Sequence, residues 1–239
     1  MEYKKIIVIT GVSSGIGKEL VKKLTGDTSN LVIGISRNND RLETLRLELM
    51  HPENCQLIAG DISDPHDISD ITVKLATHGR IDALIHNAGK LLRKPLEKTS
   101  HEDLVSVYGT NVFGPALLSS RVLHLLRRKP SEECSHVVHI SSMGGVQGTQ
   151  KFAGLAAYSS SKAALTGLAE CMAEEWKNQG IRSNVLAIGS VSTEMFGNAF
   201  PGLEASTSPE KMADFIADFA LKGHRLFNGK VIQVSNSTP

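Results

Sequence analysis

The sequence predicts an α/β fold in which helices flank both faces of a doubly wound, seven-stranded parallel sheet. Short runs rich in Ile and Val alternate with longer segments that carry apolar residues at helical spacing. The short runs are almost continuously apolar, which is typical of parallel strands buried on both faces. The predicted strands are 5–10, 31–36, 56–59, 83–86, 136–140, 183–188 and 231–234.

The predicted helices begin and end at residues that favour helix ends. Asp64 and Pro65 suit the cap and the first position of one helix, and Ser100 with Asp103 resembles a capping box. Gly180 suits the end of the helix before it. The predicted helices are 15–25, 40–50, 65–77, a long helix from about 100 to 128, 157–178 and 209–222.

The composition favours one folded domain. The 239 residues are 41% hydrophobic and 21% charged, which excludes wholesale disorder. No linker rich in Pro or Ser and no repeat divides the chain, so we expect a single domain over residues 1–239. No segment approaches the length of apolar sequence that a membrane span needs.

The charge balance argues against polyanionic partners. The 26 Lys and Arg residues against 25 Asp and Glu give a net charge of +1, so we expect neither nucleic acid nor an anionic membrane surface as the main partner. Three cysteines are too few for a disulfide framework and fit a reducing, cytoplasmic location. They lack metal-ligand spacing, so no metal site is expected.

A glycine-rich turn joins the first predicted strand to the first predicted helix. Glycines there allow a tight turn and a close backbone approach, and the helix start offers free N–H groups and a positive dipole end to a pyrophosphate. Serine hydroxyls add further donors. The candidate cofactor-binding residues of this turn are Gly11, Ser13, Ser14, Gly15, Ile16 and Gly17.

The spacing Gly-x-x-x-Gly-x-Gly in this turn resembles that of the short-chain dehydrogenase/reductase family. The set Asn111, Ser142, Tyr158 and Lys162 is similar to the family's catalytic tetrad in order and in the elements that carry it. The likeness extends from residue 5 to residue 234. It implies a single-domain, Rossmann-type NAD(P)-binding fold with a Tyr-x-x-x-Lys active site.

The tetrad suits the reduction of a carbonyl group. A free Tyr has a pKa of about 10, and a nearby cation lowers it, which makes the phenol a better proton donor and acceptor. The resemblance implies that Tyr158 exchanges this proton and that Lys162 binds the nicotinamide ribose. It also implies that Ser142 bonds the substrate oxygen and that Asn111 holds a water molecule in a proton relay.

The choice of serine stays open. Ser142 is 16 residues before Tyr158, whereas the family's common separation is 13, so the active serine could lie elsewhere, Ser141 included. The segment 143–157 therefore carries about three extra residues.

Later strand ends supply further residues that the family uses for its cofactor. The resemblance implies that Asp61 and Ile62 contact the adenine and that Thr193 bonds the nicotinamide carboxamide. Thr193 could instead serve as a helix cap. Small residues after the fourth strand let the backbone lie against the cofactor, and these are Asn87, Ala88 and Gly89.

The end of the second strand favours NADP(H) over NAD(H). Ser36 stands where a carboxylate would bond a free ribose 2′-hydroxyl, and Arg37 follows as a partner for a 2′-phosphate. The alternative is that Arg37 is a solvated loop residue.

The sequence thus indicates an oxidoreductase that transfers a hydride between NADP(H) and a small carbonyl or alcohol substrate. The alternative is a non-catalytic cofactor-binding sensor or scaffold on the same fold. The segment of about 193–208, which contains Met195, Phe196, Phe200 and Leu203, is expected to form a short apolar substrate loop. Family analogy predicts a homodimer or homotetramer built through the two longest helices.

Overall fold

One parallel sheet organises the computed structural model, which describes residues 3–236. The strand order is β3-β2-β1-β4-β5-β6-β7, so β1 pairs with β2 on one side and β4 on the other. This confirms the predicted fold, and the strand bounds agree with the predicted ones to within two residues. The strands are β1 Lys5–Thr10, β2 Asn30–Ser36, β3 Cys55–Ala59, β4 Ala83–His86, β5 Ser135–Ser142, β6 Ile181–Ile188 and β7 Val231–Val234.

Helices pack on both faces of the sheet because successive strand side chains point in opposite directions. The helices are α1 Gly15–Thr25, α2 Asn39–Glu48, α3 Pro65–Ala76, α4 His101–Tyr108, α5 Gly114–Arg121, α6 Leu123–Leu126, α7 Ala156–Trp176, α8 Glu194–Ala199 and α9 Pro209–Lys222. Ile7 and Ile9 contribute to a buried cluster with α1 and α9, whereas Val8 and Ile33 contribute to a second with α3, α5 and α7.

The long helix predicted from about 100 to 128 is interrupted. A π-helical turn, Gly109–Phe113, separates α4 from α5, and α6 is a further short piece. Pro115 has no N–H to bond the carbonyl of Asn111 four residues back, which loosens regular helix at this point. A Cβ on Gly114 would lie 2.4 Å from the Ile62 carbonyl oxygen, so the backbone passes very close to the loop after β3.

Two further features bear on the remaining predictions. Among residues 3–236, no helix combines the length and the apolar character that crossing a membrane requires. The predicted domain 1–239 extends beyond the described residues at both ends, because residues 1, 2 and 237–239 lie outside them.

Histidines are buried in the central strands. The rings of His86 and His139 stack with centroids 5.0 Å apart, and His86 Nε2 lies 2.7 Å from Ser119 Oγ. His136 Nε2 lies 3.0 Å from the side-chain amide of Asn184. Burial lowers the pKa of His86 to about 3 and that of His136 to about 4, so both rings are neutral at physiological pH.

Acid should therefore destabilise the fold through these histidines. Each ring is protonated near pH 6.5 in the unfolded chain but only at much lower pH in the folded protein. The free energy of unfolding should fall as pH drops from 6.5 towards 4, by up to about 1.4 kcal/mol per pH unit for each ring. Urea titrations across this range measure the slope.

Replacing single histidines isolates this effect. His86→Asn should reduce the slope by up to about 1.4 kcal/mol per pH unit, because one titration is removed. His101→Gln, at an exposed position, should leave the slope unchanged. An unaltered slope in His86→Asn would contradict the assignment of a neutral, buried ring.

Candidate active site

A cavity of about 640 Å³ lies along the carboxyl edge of the sheet, where ligands of doubly wound folds bind. Residues that follow β1, β2, β3 and β4 form one part of its wall, and α7 and α8 form another. Most of the predicted site residues line it, namely Gly11, Ser13, Ser14, Gly15, Ile16, Arg37, Asp61, Ile62, Asn87, Ala88, Gly89, Tyr158, Lys162 and Thr193. Gly17, Asn111 and Ser142 are not part of the lining.

The glycine turn is closely packed against the end of β4. A Cβ on Gly11 would lie 2.6 Å from Ala88 Cα, and one on Gly17 would lie 2.1 Å from the Gly11 carbonyl oxygen. The Asn87 amide donates hydrogen bonds to the carbonyls of Thr10 and Gly11, both at 3.0 Å. Asn87 therefore holds the turn in shape, and no side chain larger than hydrogen fits at Gly11 or Gly17.

The start of α1 fits a phosphate group. Its capping residue, Ser14, makes no side-chain hydrogen bond to the helix, and the first turn contains no acidic residue. The free N–H groups of this turn and the positive end of the helix dipole thus have no anionic partner within the helix. Because Ser14 and Gly15 line the cavity, the residues present fit the pyrophosphate of a dinucleotide.

Two arginines lie at the end of the cavity near β2 and β3. Arg37 Nη1 is 3.7 Å from Asp61 Oδ2, and 67% of the Arg37 side chain is exposed. Arg41, in the first turn of α2, lies 3.2 Å from Glu194 Oε2 at the start of α8. Sequence reasoning missed Arg41, although its position four residues after Arg37 on a predicted helix was an available signal.

Tyr158 and Lys162 lie on one face of α7, four residues apart. Lys162 Nζ is 5.9 Å from the centre of the Tyr158 ring and donates a hydrogen bond to the Ile140 carbonyl at 2.8 Å. Burial lowers the pKa of Lys162 to about 8, which leaves it cationic at neutral pH. Burial also raises the pKa of Tyr158, and a hydrogen bond with Ser142 opposes that rise.

The two serines at the end of β5 have different partners. Ser142 bonds the Tyr158 side chain and accepts the Gly144 N–H at 3.1 Å. Ser141 is buried and donates its hydroxyl to the Lys162 carbonyl at 3.0 Å. Ser142 thus lies beside the phenol, whereas Ser141, which lines the cavity, bonds the backbone of α7.

Asn111 is fully buried in the π-helical turn and does not reach the cavity. Its Oδ1 accepts the Lys90 N–H at 2.7 Å, and its Nδ2 donates to the Lys90 carbonyl at 2.9 Å and to Ser161 Oγ at 2.8 Å. It therefore joins the segment after β4 to α7, beside Lys162.

The expected substrate loop contains the short helix α8. Thr193 caps it by accepting the Phe196 N–H at 3.2 Å and also lies against Gly15 in the cavity wall, so its capping role and its place in the cavity coexist. Arg93 donates to the Ala199 carbonyl at the other end of α8, and its guanidinium carbon lies 5.5 Å from the centre of the Phe200 ring. Sequence reasoning missed Lys90, Arg93 and Glu194 as cavity residues, since only tertiary packing brings them there.

The arrangement of the described side chains offers proton transfer. Within residues 3–236, no group of three His, Cys, Asp or Glu side chains is placed to hold a metal ion. A phenol and an ammonium line one part of the cavity, with the Ser142 hydroxyl beside the phenol, and another part fits phosphates. Such a set can deliver a proton to, or take one from, a bound oxygen atom.

Comparisons with known proteins identify the family. The family model for short chain dehydrogenases matches residues 5–204. An uncharacterised oxidoreductase of Staphylococcus saprophyticus is 33% identical over 194 residues, covering 80% of this chain and 76% of the relative.

Solved structures agree with the fold. The RhlG/NADP active-site complex of Pseudomonas aeruginosa has a TM-score of 0.88 at 25% identity and covers 99% of this chain and 96% of that one. A 3-ketoacyl-(acyl-carrier-protein) reductase of Brucella melitensis complexed with NADH has a TM-score of 0.84 at 21% identity, with 98% of each chain covered. The chain therefore belongs to the short-chain dehydrogenase family of oxidoreductases.

Proposed function

We propose that this protein uses NADP(H) to interconvert a small carbonyl compound and the corresponding alcohol, with Tyr158 as the proton donor and acceptor. The observation that carries the proposal is the pairing of Tyr158 and Lys162 in the cavity wall, with Ser142 bonded to the phenol from just outside that wall. Binding of a cofactor alone would need no proton donor there, so the enzyme is favoured over a non-catalytic sensor.

Ser142, Tyr158 and Lys162 have separate roles at the substrate oxygen. A bound nicotinamide supplies or accepts the hydride. Ser142 holds the substrate oxygen next to the phenol, and Tyr158 gives that oxygen a proton as negative charge develops on it. Burial raises the pKa of Tyr158, and the hydrogen bond with Ser142 opposes that rise. In this proposal the ammonium of Lys162, 5.9 Å from the centre of the ring, also favours the phenolate.

Asn111 acts in this proposal as a positioning residue. Its three hydrogen bonds fix the backbone of Lys90 and the hydroxyl of Ser161, which is adjacent to Lys162 in the chain. In the proton relay that the family resemblance implies, the region around Asn111 would hold the water that reaches Lys162.

The choice of NADP(H) rests on the residues around the end of β2. No carboxylate stands at the last residue of β2 or at the three residues after it, and two guanidinium groups, those of Arg37 and Arg41, line this end of the cavity. Their ion pairs with Asp61 and Glu194 are half-exposed and therefore weak, so a 2′-phosphate can compete for both arginines. The NADP complex of the Pseudomonas relative is consistent with this choice, whereas the Brucella relative was solved with NADH.

We also propose that the chain works as a homo-oligomer in the cytoplasm. Val105, Phe113 and Leu117 are exposed on the α4–α5 segment, which suits burial against a second copy. The described cysteines are free, which suits a reducing compartment.

Replacing the phenol tests the proposed chemistry. Tyr158→Phe should lower the rate of NADPH oxidation with a panel of ketones and aldehydes by about 100-fold or more, because the proton donor is lost. NADPH affinity, followed by the fluorescence of the bound cofactor, should stay within about threefold. Tyr108→Phe is the matched control, since Tyr108 packs on Phe113 outside the cavity. Equal rates in the wild type and Tyr158→Phe would exclude the assigned role.

The two adjacent serines provide their own control. Ser142→Ala should lower kcat by about 100-fold, as expected for the loss of a donor to the reacting oxygen. Ser141→Ala should leave kcat within a few-fold and reduce the free energy of unfolding by about 1 kcal/mol, because it removes a hydrogen bond to the α7 backbone. The reverse pattern would assign the catalytic role to Ser141.

The cofactor preference should depend on both arginines. Arg37→Ala and Arg41→Ala should each lower the affinity for NADPH relative to NADH by about tenfold or more, the usual effect of a lost charged hydrogen bond. Arg46→Ala removes an exposed arginine of α2 outside the cavity and should preserve the ratio. If both cavity variants keep the wild-type ratio, these arginines do not read the 2′-phosphate.

A further inference from the structure

The cavity holds cations that the cofactor does not account for. Five lysines and arginines line it against two carboxylates, those of Asp61 and Glu194. Both carboxylates pair with arginines at the nucleotide end. Lys162 belongs to the catalytic group, and within residues 3–236 neither Lys90 nor Arg93 forms an ion pair with a carboxylate.

Arg93 lies at a distance from the phosphate-binding end. The start of α8 adjoins the glycine turn through Thr193 and pairs with Arg41 through Glu194. Arg93 contacts Ala199, the last residue of this helix. At 1.5 Å per residue the two ends are about 8 Å apart, so the Arg93 guanidinium lies beyond the groups that bind the cofactor phosphates.

Arg93 lies instead beside the segment that leads to Tyr158. The Lys94 N–H donates to the Gly154 carbonyl at 2.8 Å, and a Cβ on Gly154 would lie 3.4 Å from Arg93 Cγ. The segment 146–155 also carries Phe152, whose ring meets the edge of Phe200 at 5.7 Å. The guanidinium therefore lies between α8 and the segment that leads into α7 and Tyr158.

The position of the Arg93 guanidinium and its available N–H donors suit the binding of an anion. It is held over Phe200 and bonded to one neutral carbonyl, which leaves most of its five N–H donors available. A planar, permanently charged fork of this kind matches a carboxylate in bidentate geometry. Leu91, Met195 and Ala199 supply apolar wall beside it.

Resting on the proposed function, we propose that Arg93 is a specificity-determining residue that binds the carboxylate of the substrate. The substrate class is then an oxo acid or hydroxy acid with an apolar body, rather than a neutral carbonyl compound. Lys90 also lines the cavity, and its ammonium donates a hydrogen bond to Ser106 Oγ on α4.

The experiment compares straight-chain oxo acids with their methyl esters. The acids differ in the number of carbons between the ketone and the carboxylate. For binding, both are titrated into the NADPH complex of Tyr158→Phe, in which turnover is slowed, with cofactor fluorescence as the signal. The value of kcat/KM is measured for each with the wild type. The best acid should exceed its ester by about tenfold or more in affinity and in kcat/KM, the usual effect of a charged hydrogen bond.

Variants at Arg93 separate charge recognition from support of α8. Arg93→Gln should remove the preference for the acid while leaving the ester unchanged, and Arg93→Lys should restore part of it. If Arg93 only supports α8, Arg93→Gln should lower the affinity and kcat/KM for the acid and the ester equally, and that result would overturn the proposal. Lys98→Gln removes the same charge from an exposed position on the segment after β4 and should keep the wild-type preference.

The possible outcomes test the role of Arg93 separately from the oxidoreductase function on which it rests. If the esters have the same affinity and the same kcat/KM as the acids, the role of Arg93 is overturned, and the proposed oxidoreductase activity still stands. Acids that bind preferentially through Arg93 without turnover would support the anion site and contradict the proposed reaction. Absence of any acid preference in binding would overturn the proposal whether or not turnover occurs.

Discussion

The buried ammonium of Lys162 is the constraint on which the inner end of the site depends. An ammonium removed from water loses several kcal/mol of hydration, and within the described residues no carboxylate pairs with it. The carbonyl of Ile140, near the end of β5, accepts its hydrogen bond instead. The backbone of Lys162 is fixed in turn by Ser141 and by Gly145, where a Cβ would approach within 2.8 Å. The ammonium stays charged at neutral pH because its pKa of about 8 still lies above 7, and its hydrogen bond to the Ile140 carbonyl holds it in place.

The same region joins the catalytic end to the substrate wall. The π-helical turn brings Asn111 against the backbone of Lys90, and the chain then continues to Arg93 under α8. A regular helix from α4 to α5 would carry the Asn111 amide in a different direction, since each residue of helix turns the side chain by about 100°. Pro115 and the close passage of Gly114 over Ile62 are thus linked to the shape of the cavity, although none of the three groups involved is reactive.

Much of the fold and part of the site follow from local sequence. Apolar runs predict strands, and the glycines after β1 predict a turn whose tight packing against Ala88 explains why they are glycines. Tyr158 and Lys162 share a helix face by spacing alone. Arg93 and α8 could not be predicted in this way, because their positions depend on contacts between segments more than 100 residues apart. The break at residue 109 did have a local signal in Pro115, which the prediction of one long helix did not use.

The uneven distribution of charge has a consequence for the kinetics of association. The cavity carries five cationic and two anionic side chains, a net of +3, so the remainder of a chain with net charge +1 carries −2. An anionic ligand approaching from solution is therefore attracted towards the cavity mouth and repelled elsewhere. Such steering raises association rates and weakens as ionic strength increases, over a Debye length of about 8 Å at physiological salt. A nearly neutral protein can thus collect polyanionic small molecules quickly without becoming a general polyanion binder.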